Sequence, residues 1–529
     1  MKSKYILITL FFLIFSSCQT NKEENLNTEK NQRPNVLFIL VDDFGLKDMG
    51  FVGSSYYETP NIDSLASRSM VFNQGYAGSR VCSPSRATIM TGKFTARHGV
   101  TNWIGEKSGE DWRSMGRHDK LLPAEYVHSL PKEDITLAEA LQDNGYTTFF
   151  AGKWHLGEKG SYPENHGFEF NKGGWDKGSP MGGYYSPFGN PKLKDKENGE
   201  NLSLRLSKET NDFITTYKDS TFFAFLSFYA VHGPIETTQE KWNKYREKAI
   251  QQNVADNGFE MEKKLPIRVT QDNPVYAGLV ETMDDAVGLV LDNLNKLRLD
   301  DNTIIIFTSD NGGVSSGDSY ATSNLPFRGG KGYHWEGGIR EPFLIYVPHH
   351  TVNGKTSDYP VTGADFYPTI LDYANIELKP KQHQDGISLK PLINDGVLPK
   401  ERPLFWHYPH YGNQGGDPSS IIRKGDWKLI HYYEEDVNEL YNLAIDPYES
   451  NNLAEANSEL SANLYQELKN WLLDVGAKFP EKDEKYDAVK RMAYDKKIKN
   501  ELLPNLEKER WRFLETNYQP NDNWWGSFD

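Results

Sequence analysis

The sequence predicts an α/β protein with a large mixed, mainly parallel sheet flanked by helices, followed by a smaller α+β C-terminal subdomain. Three observations predict it. Short, almost continuously apolar runs recur at Asn35–Val41, Thr147–Ala151, Phe222–Phe228 and Thr303–Thr308, as strands buried on both faces of a parallel sheet require. Segments with helical periodicity lie between them. From about residue 396 that alternation weakens.

The elements follow in order. Lys2 and Lys4 precede an apolar stretch from Ile6 to Phe15, too short to span a bilayer and suited to a secretion signal. It runs into Phe15-Ser16-Ser17-Cys18, which resembles the lipobox of bacterial lipoproteins, with Phe15 and Ser17 standing where Leu and Gly or Ala are commoner. That resemblance implies that residues 1–18 form a lipoprotein signal and that Cys18 is acylated. The other reading is an ordinary cleaved signal with an incidental cysteine. Residues 19–33 are polar and read as a disordered tether. Its Lys22-Glu23-Glu24 is similar to an acidic signal for export to the cell surface. The expected location is therefore a lipid anchor in a bacterial outer membrane, on the cell surface or the periplasmic face.

Residues 34–395 form the expected catalytic domain. Helical patterns occupy Ile62–Ser69, Leu137–Asn144 before Gly145, and Tyr276 to about Leu297. In residues 396–529, Trp427–Tyr433 reads as a strand and Glu459–Val475 as an amphipathic helix. The last stretch, from Glu481, is rich in charge and aromatics, including Trp511, Trp524 and Trp525, and suits a segment that wraps back over the body. Ligand sites in α/β sheets gather past the carboxyl ends of strands. Here Asp42 and Asp43 follow the first run, Lys153 and His155 the second, His232 the third, and Asp310 and Asn311 the fourth. One polar strand end is ordinary turn chemistry, but four together point to a shared site.

Cys18 aside, Cys82 is the only other cysteine, so it has no obvious disulfide partner and no thiolate cluster for zinc. It lies in Cys82-Ser83-Pro84-Ser85-Arg86, continuing through Ala87-Thr88-Ile89-Met90-Thr91-Gly92. This resembles the Cys-x-Pro-x-Arg activation sequence of the type I sulfatases, members of the alkaline-phosphatase-like superfamily. The resemblance implies that a formylglycine-generating maturation enzyme oxidises Cys82 to formylglycine (3-oxoalanine), whose gem-diol attacks sulfur and later expels sulfate. A sulfate monoester is a stable anion, so it calls for a strong nucleophile and dense positive charge.

Five further segments resemble the family, and the motif regions stand in family order. Asp42-Asp43-Phe44-Gly45-Leu46-Lys47-Asp48 and Ser309-Asp310-Asn311-Gly312 offer hard oxygen donors suited to calcium or magnesium. The resemblance makes Asp42, Asp43, Asp310 and Asn311, with an oxygen of the modified Cys82, the Ca²⁺ ligands. Gly145 to His155 resembles the second signature, implying that Lys153 contacts sulfate and His155 bonds the gem-diol. A phosphate loop is the other reading of its Gly152-Lys153, but Thr147 and Trp154 occupy positions such a loop needs for Gly and Ser or Thr. His232-Gly233-Pro234 resembles the family's His-x-Pro, whose histidine is a general acid. Arg328 to Gly338 resembles its Gly-Gly-Lys segment, making Lys331 a second sulfate ligand. Arg86 lies one helical turn from Cys82, and the family role is to anchor the formylglycine oxygen. Arg80 departs from the pattern, which commonly has a small residue there.

The formal net charge of −15 argues against nucleic acid as a partner. An anionic substrate then needs a local positive pocket, with a metal in it. Lipid-anchored sulfatases that desulfate polysaccharides, including algal ulvan or carrageenan, are the subgroup this chain resembles, so the expected substrate is a sulfated carbohydrate. Trp103, Trp112, Arg113, Arg117 and His118 lie between two of the motifs, and aromatic and basic groups suit a sulfated sugar. His166, Trp175 and Lys177 are further candidates, each with an ordinary packing or surface reading as well. A phosphate or phosphonate monoester hydrolase of the same superfamily, or a non-catalytic glycan-binding lipoprotein, are the alternatives.

Overall fold

The first apolar run, β1 (Asn35–Val41), is buried along its whole length because its alternate side chains enter two different cores. Leu37, Ile39 and Val41 join one; Val36, Phe38 and Leu40 join the other. The computed structural model describes residues 33–351 and 353–521. The signal, Cys18, the tether as far as Gln32, and Trp524 and Trp525 lie outside the described residues. No helix among the described residues is long and apolar enough to cross a membrane.

The main sheet has eight strands. After β1 come β2 (Met70–Phe72), β3 (Thr147–Gly152), β4 (Phe170–Lys172), β5 (Phe222–Ser227), β6 (Thr303–Ser309), β7 (Phe343–Tyr346) and β8 (Lys355–Ser357). Across the sheet they run β8-β2-β7-β6-β1-β5-β3-β4. β6, β1, β5, β3 and β4 are mutually parallel. β7 runs against both β6 and β2 and makes the sheet mixed.

Helices cover both faces. α1 (Pro60–Ala66), α4 (Leu202–Thr216) and α5 (Pro274–Leu297) bury Ile62, Leu206, Phe213, Val280 and Met283 in the first core. α2 (Cys82–Thr91) and α3 (Leu137–Gln142) bury Ile89, Leu137 and Leu141 in the second. α5 starts where Asn273 caps two backbone amides and Pro274 takes the first turn, both favourable there. α3 is started by the reciprocal Thr136–Glu139 capping box.

The strand register sets the site. Val41 pairs with Ser309, Leu40 with Ser227, and Gly152 with Ser227. The four central parallel strands therefore end at one level, and the residues that follow them project side by side.

A four-stranded antiparallel meander follows, β9 (Leu404–Tyr408), β10 (Ser419–Lys424), β11 (Trp427–Tyr432) and β12 (Val437–Asn442). Against it packs α6 (Ser458–Asp474), through Leu464, Leu468 and Leu472. Phe405 and Trp471 stack with ring centroids 4.2 Å apart. The C-terminal segment does fold back: Glu481–Lys482 pair with Leu121–Leu122, and Arg510 grips Asp272 through two nitrogens at 2.8 and 2.6 Å.

Lys428 of β11 ties the meander to the main body, lying 3.0 Å from Glu336 and 2.7 Å from Glu449. All three are at most 1% exposed. Removing the cation leaves two buried carboxylates facing each other, so Lys428→Ala is expected to cost about 3–5 kcal/mol of stability. Thermal or denaturant unfolding would read this; a cost well under 1 kcal/mol would mean the triad contributes nothing net.

Candidate active site

α2 begins at Cys82, whose predecessor Val81 is extended (φ −145°), and ends at Gly92 in the left-handed region (φ 67°). Cys82 is thus held in the first turn, facing the level where the parallel strands end, and is 3% exposed. Its Sγ lies 3.4 Å from His155 Nδ1. The other ring nitrogen of His155 lies 3.0 Å from the Ile104 carbonyl. That nitrogen must carry the proton, which leaves Nδ1 as the acceptor for the thiol. Burial, then Lys153, hold the His155 imidazole well below its usual pKa and therefore neutral. Asp43 and His155 both adopt positive φ, 63° and 55°, a cost of the kind that gathers at functional sites.

Arg86, one turn along α2, donates to Asp310 Oδ2 from Nε at 2.8 Å and from Nη1 to the Lys153 carbonyl at 2.7 Å and Ser227 Oγ at 2.8 Å. It fixes the ends of β3, β5 and β6 together.

Asp42, Asp43 and Asp310 present carboxylate oxygens within 4.8 Å of one another, all fully buried. Asn311 donates its amide N–H to Asp43 at 2.9 Å, so its carbonyl oxygen is turned free. Asn311 Oδ1 and Asp42 Oδ1 are both buried without a hydrogen bond among the described residues. Orphaned hard oxygens beside three clustered carboxylates are what a calcium-sized cation takes as ligands. The donor set fits Ca²⁺.

The cationic side chains of the site match its carboxylates one for one. Lys153 lies 2.7 Å from Asp42, Lys331 2.8 Å from Asp43, and Arg86 2.7 Å from Asp310. Burial and the neighbouring carboxylates Asp310 and Asp43 push Asp42 well above the usual range against the pull of Lys153. For Asp43, burial is outweighed by Lys331, His232 and Lys153, which hold it below the usual range. Each of the three clustered carboxylates is paired with a cationic side chain, so a divalent ion added to this set would supply further positive charge for an anionic ligand. The local positive pocket that an acidic chain needs is thereby available.

His232 follows β5. Its Nδ1 lies 2.7 Å from the Gly233 carbonyl and donates to it, so Nε2 faces Asp43 Oδ2 at 3.6 Å. Burial and Lys331, opposed by Asp43, bring the imidazole down to about 4.

Cys82, His155, His232 and Lys331 line a cavity of about 820 Å³, together with Trp103 and Lys177. The other aromatic and basic residues picked out from the sequence do not line it. Arg113 is held by Asp483 at 2.9 Å and Glu110 at 2.9 Å. Arg117 covers the rings of Trp112 and Tyr411 and donates to the Gly412 carbonyl. Trp112 is itself buried, donating to Asp119 at 2.9 Å. His166 bonds Ser161 Oγ at 2.7 Å behind Trp154. Trp175 donates to the Tyr229 hydroxyl at 3.1 Å, and His118 is half-buried away from the cavity. Arg80 is a packing residue: it is fully buried, donates to the His410 carbonyl and Ser419 Oγ, and lies 4.1 Å over the Tyr408 ring. Sequence reasoning passed over Asp318, Asn413 and Gln414, which do line the cavity. No local motif marks them, because Asn413 and Gln414 arrive on the loop between β9 and β10.

Residues 34–376 match the Sulfatase family, and residues 330–478 match the family described as N-sulphoglucosamine sulphohydrolase, C-terminal. A protein of Formosa agariphila named Sulfatase is 30% identical over 553 residues, covering 90% of this chain and 94% of its own length. N-acetylgalactosamine-6-sulfatase of Homo sapiens is 30% identical over 397 residues, covering 71% of this chain and 68% of its own. The crystal structure of Ps i-CgsB in complex with k-i-k-neocarrahexaose superposes with a TM-score of 0.67 at 25% identity, covering 92% of this chain and 98% of that one. The match to the first family takes in the whole main sheet and every strand end that meets at Cys82, so the chain belongs to the sulfatase family, within the alkaline-phosphatase-like superfamily, and is a sulfuric ester hydrolase.

Proposed function

We propose that this enzyme hydrolyses sulfate esters of a sulfated polysaccharide or its oligosaccharides, using a formylglycine made from Cys82 by a maturation enzyme and a Ca²⁺ ion held by Asp42, Asp43, Asp310 and Asn311. The observation that carries the reading is the cluster of three carboxylates and two orphaned oxygens, joined through Asp43 to Lys331 and His232, which line with Cys82 a cavity with room for a sugar. Hydrated formylglycine supplies two hydroxyls on one carbon, hence an oxygen nucleophile and a way to expel sulfate, and Ca²⁺ supplies charge stabilisation beside it.

The side chains do the rest. His155, neutral and with Nδ1 free to accept, takes the proton of a hydroxyl at position 82. Lys153 and Lys331 bind the sulfate oxygens and oppose the charge that builds on them. His232 is placed to protonate the leaving sugar oxygen through Nε2. Lys331 is the chief charge that holds its imidazole neutral, and an anionic ester lying against Lys331 offsets it. The proton donor is therefore favoured when substrate is bound.

A carbohydrate substrate is supported by the oligosaccharide bound to the i-CgsB structure and by the sugar named in the human relative. Trp103 offers a ring face and Lys177 a charge on the cavity wall. The reading extends to a lipid anchor at Cys18 in the outer membrane, supported by the sequence of the signal alone.

The test is sulfate release, by ion chromatography, from enzyme co-produced with a formylglycine-generating enzyme. The panel comprises ulvan, carrageenan and glycosaminoglycan oligosaccharides, with 4-nitrophenyl sulfate and 4-nitrophenyl phosphate as reference esters. Release from one glycan class is expected. Phosphate release exceeding sulfate release would overturn the reaction assigned. Chelation is expected to cut sulfate release at least about 10-fold, with recovery on adding Ca²⁺. At a hundredfold excess over Kd, the ion is expected to raise stability by about 2.7 kcal/mol in a thermal shift. An unchanged melting curve would argue against the ion.

A further inference from the structure

Asp318 lies on the cavity wall next to the reacting centre without belonging to any of the motifs. Its side chain is 23% exposed, and its Oδ2 sits 3.4 Å from Lys331 Nζ. Lys331 is in turn 2.8 Å from Asp43, whose Oδ2 is 3.6 Å from His232 Nε2. Asp318 therefore touches the sulfate-binding amine directly and is linked through Lys331 and Asp43 to His232, the group that faces the leaving oxygen.

The local structure is built to hold it there. Gln414 donates from Nε2 to Asp318 Oδ2 at 2.6 Å. Both protein contacts thus fall on Oδ2, and Oδ1 has no protein partner among the described residues. Asp318 and Tyr320 adopt φ of 41° and 45°, strained for side chains of that kind. Gly317, at φ 59°, would place a Cβ 2.7 Å from the Asn413 carbonyl, so a glycine is needed for the two segments to meet. The Gln414 loop is fixed in turn by Gly412 donating to the Gly416 carbonyl at 2.8 Å. Arg80 holds both its ends, at His410 and Ser419.

A carboxylate beside the sulfate pocket can only accept hydrogen bonds, and it repels a second anion. We propose that Asp318, oriented by Gln414, is a specificity-determining residue that accepts a hydrogen bond from a free hydroxyl on the carbon adjacent to the scissile ester and excludes sugars that carry sulfate there. The inference rests on the carbohydrate reading above and narrows it: the substrate class is a sugar sulfated at one of two neighbouring carbons. It combines an attractive contact with a repulsive one, the usual way of discriminating close relatives.

The experiment measures kcat/KM for wild type, Asp318→Asn and Gln414→Ala on three esters. These are the panel oligosaccharide that wild type desulfates fastest, the same oligosaccharide with a second sulfate on the adjacent carbon, and 4-nitrophenyl sulfate, which has no neighbouring hydroxyl. Wild type is expected to favour the singly sulfated sugar by about 100-fold or more over the doubly sulfated one. Asp318→Asn is expected to lose roughly 10- to 100-fold on the singly sulfated sugar relative to its loss on the aryl ester, and to narrow the gap between the two sugars. Gln414→Ala should move the same ratios in the same direction by a smaller factor, and it keeps the test open if the first variant folds poorly. Equal losses on sugar and aryl esters would mean that Asp318 acts only through Lys331 and would overturn the proposal. So would a best substrate with no free neighbouring hydroxyl, or equal wild-type rates on both sugars. Turnover of the aryl ester with none of the glycans is a different failure: it overturns the carbohydrate reading itself, and this inference with it.

Discussion

Cys82→Ala is expected to abolish sulfate release while leaving the fold intact. The substitution removes one sulfur atom from the first turn of α2 and its contact with His155, a loss of about 1 kcal/mol on the scale of deleting one buried group. The chemistry has nothing to fall back on. The thiol itself is poorly suited to act: burial pushes its pKa up, and the pull of Lys153 and Lys331 does not reverse that. Reactive cysteines are held as thiolates in exposed electropositive sites, whereas this one is protonated and enclosed. A position so placed makes sense if the residue is to be converted into something else. The check is sulfate release from the best panel substrate, beside circular dichroism and a melting curve for the variant. Mass analysis of the Val81–Arg86 region of wild type would show the conversion. Turnover persisting in the variant would sink the assignment of the nucleophile to this position.

How much of this was legible in the sequence depended on the range of the forces involved. β1, β3, β5 and β6 were readable because a strand buried on both faces must be apolar at every position, and their ends were readable as polar residues breaking those runs. The register then did what no local pattern shows: it set Asp42, Lys153 and Asp310 at one level. β2, β4, β7 and β8 were not legible, being three or four residues long, below the length at which alternation can be told from chance. Arg113 misled for a related reason. An arginine near an active-site motif looks like an anion ligand until Asp483, far along the chain, is seen to hold it. Asp318 and Gln414 escaped notice for the same reason in reverse. Their meeting depends on the meander packing against the main body, and neither has a neighbour in sequence that announces a role.

The roles of His232 and Lys331 can be separated by the ester they are asked to cleave. Removing either side chain is expected to lower turnover of a sugar sulfate by about 100-fold or more, but for different reasons. Lys331 Nζ lies 2.8 Å from Asp43 and opposes charge on the sulfate, and that charge is the same whatever alcohol leaves. Lys331→Ala should therefore lose similar factors on a sugar sulfate and on 4-nitrophenyl sulfate. His232 Nε2 is the ring nitrogen left facing the site once Nδ1 is committed to the Gly233 carbonyl, and its task is to give a proton to the leaving oxygen. A sugar alkoxide is a poor leaving group that needs that proton, whereas 4-nitrophenolate leaves with little help. His232→Ala should then retain most of its aryl sulfatase rate while losing the sugar reaction. The measurement is kcat for both variants on both esters. Parallel losses for the histidine variant would assign it to binding or positioning the sulfate, and would leave the leaving oxygen to be protonated by some other group.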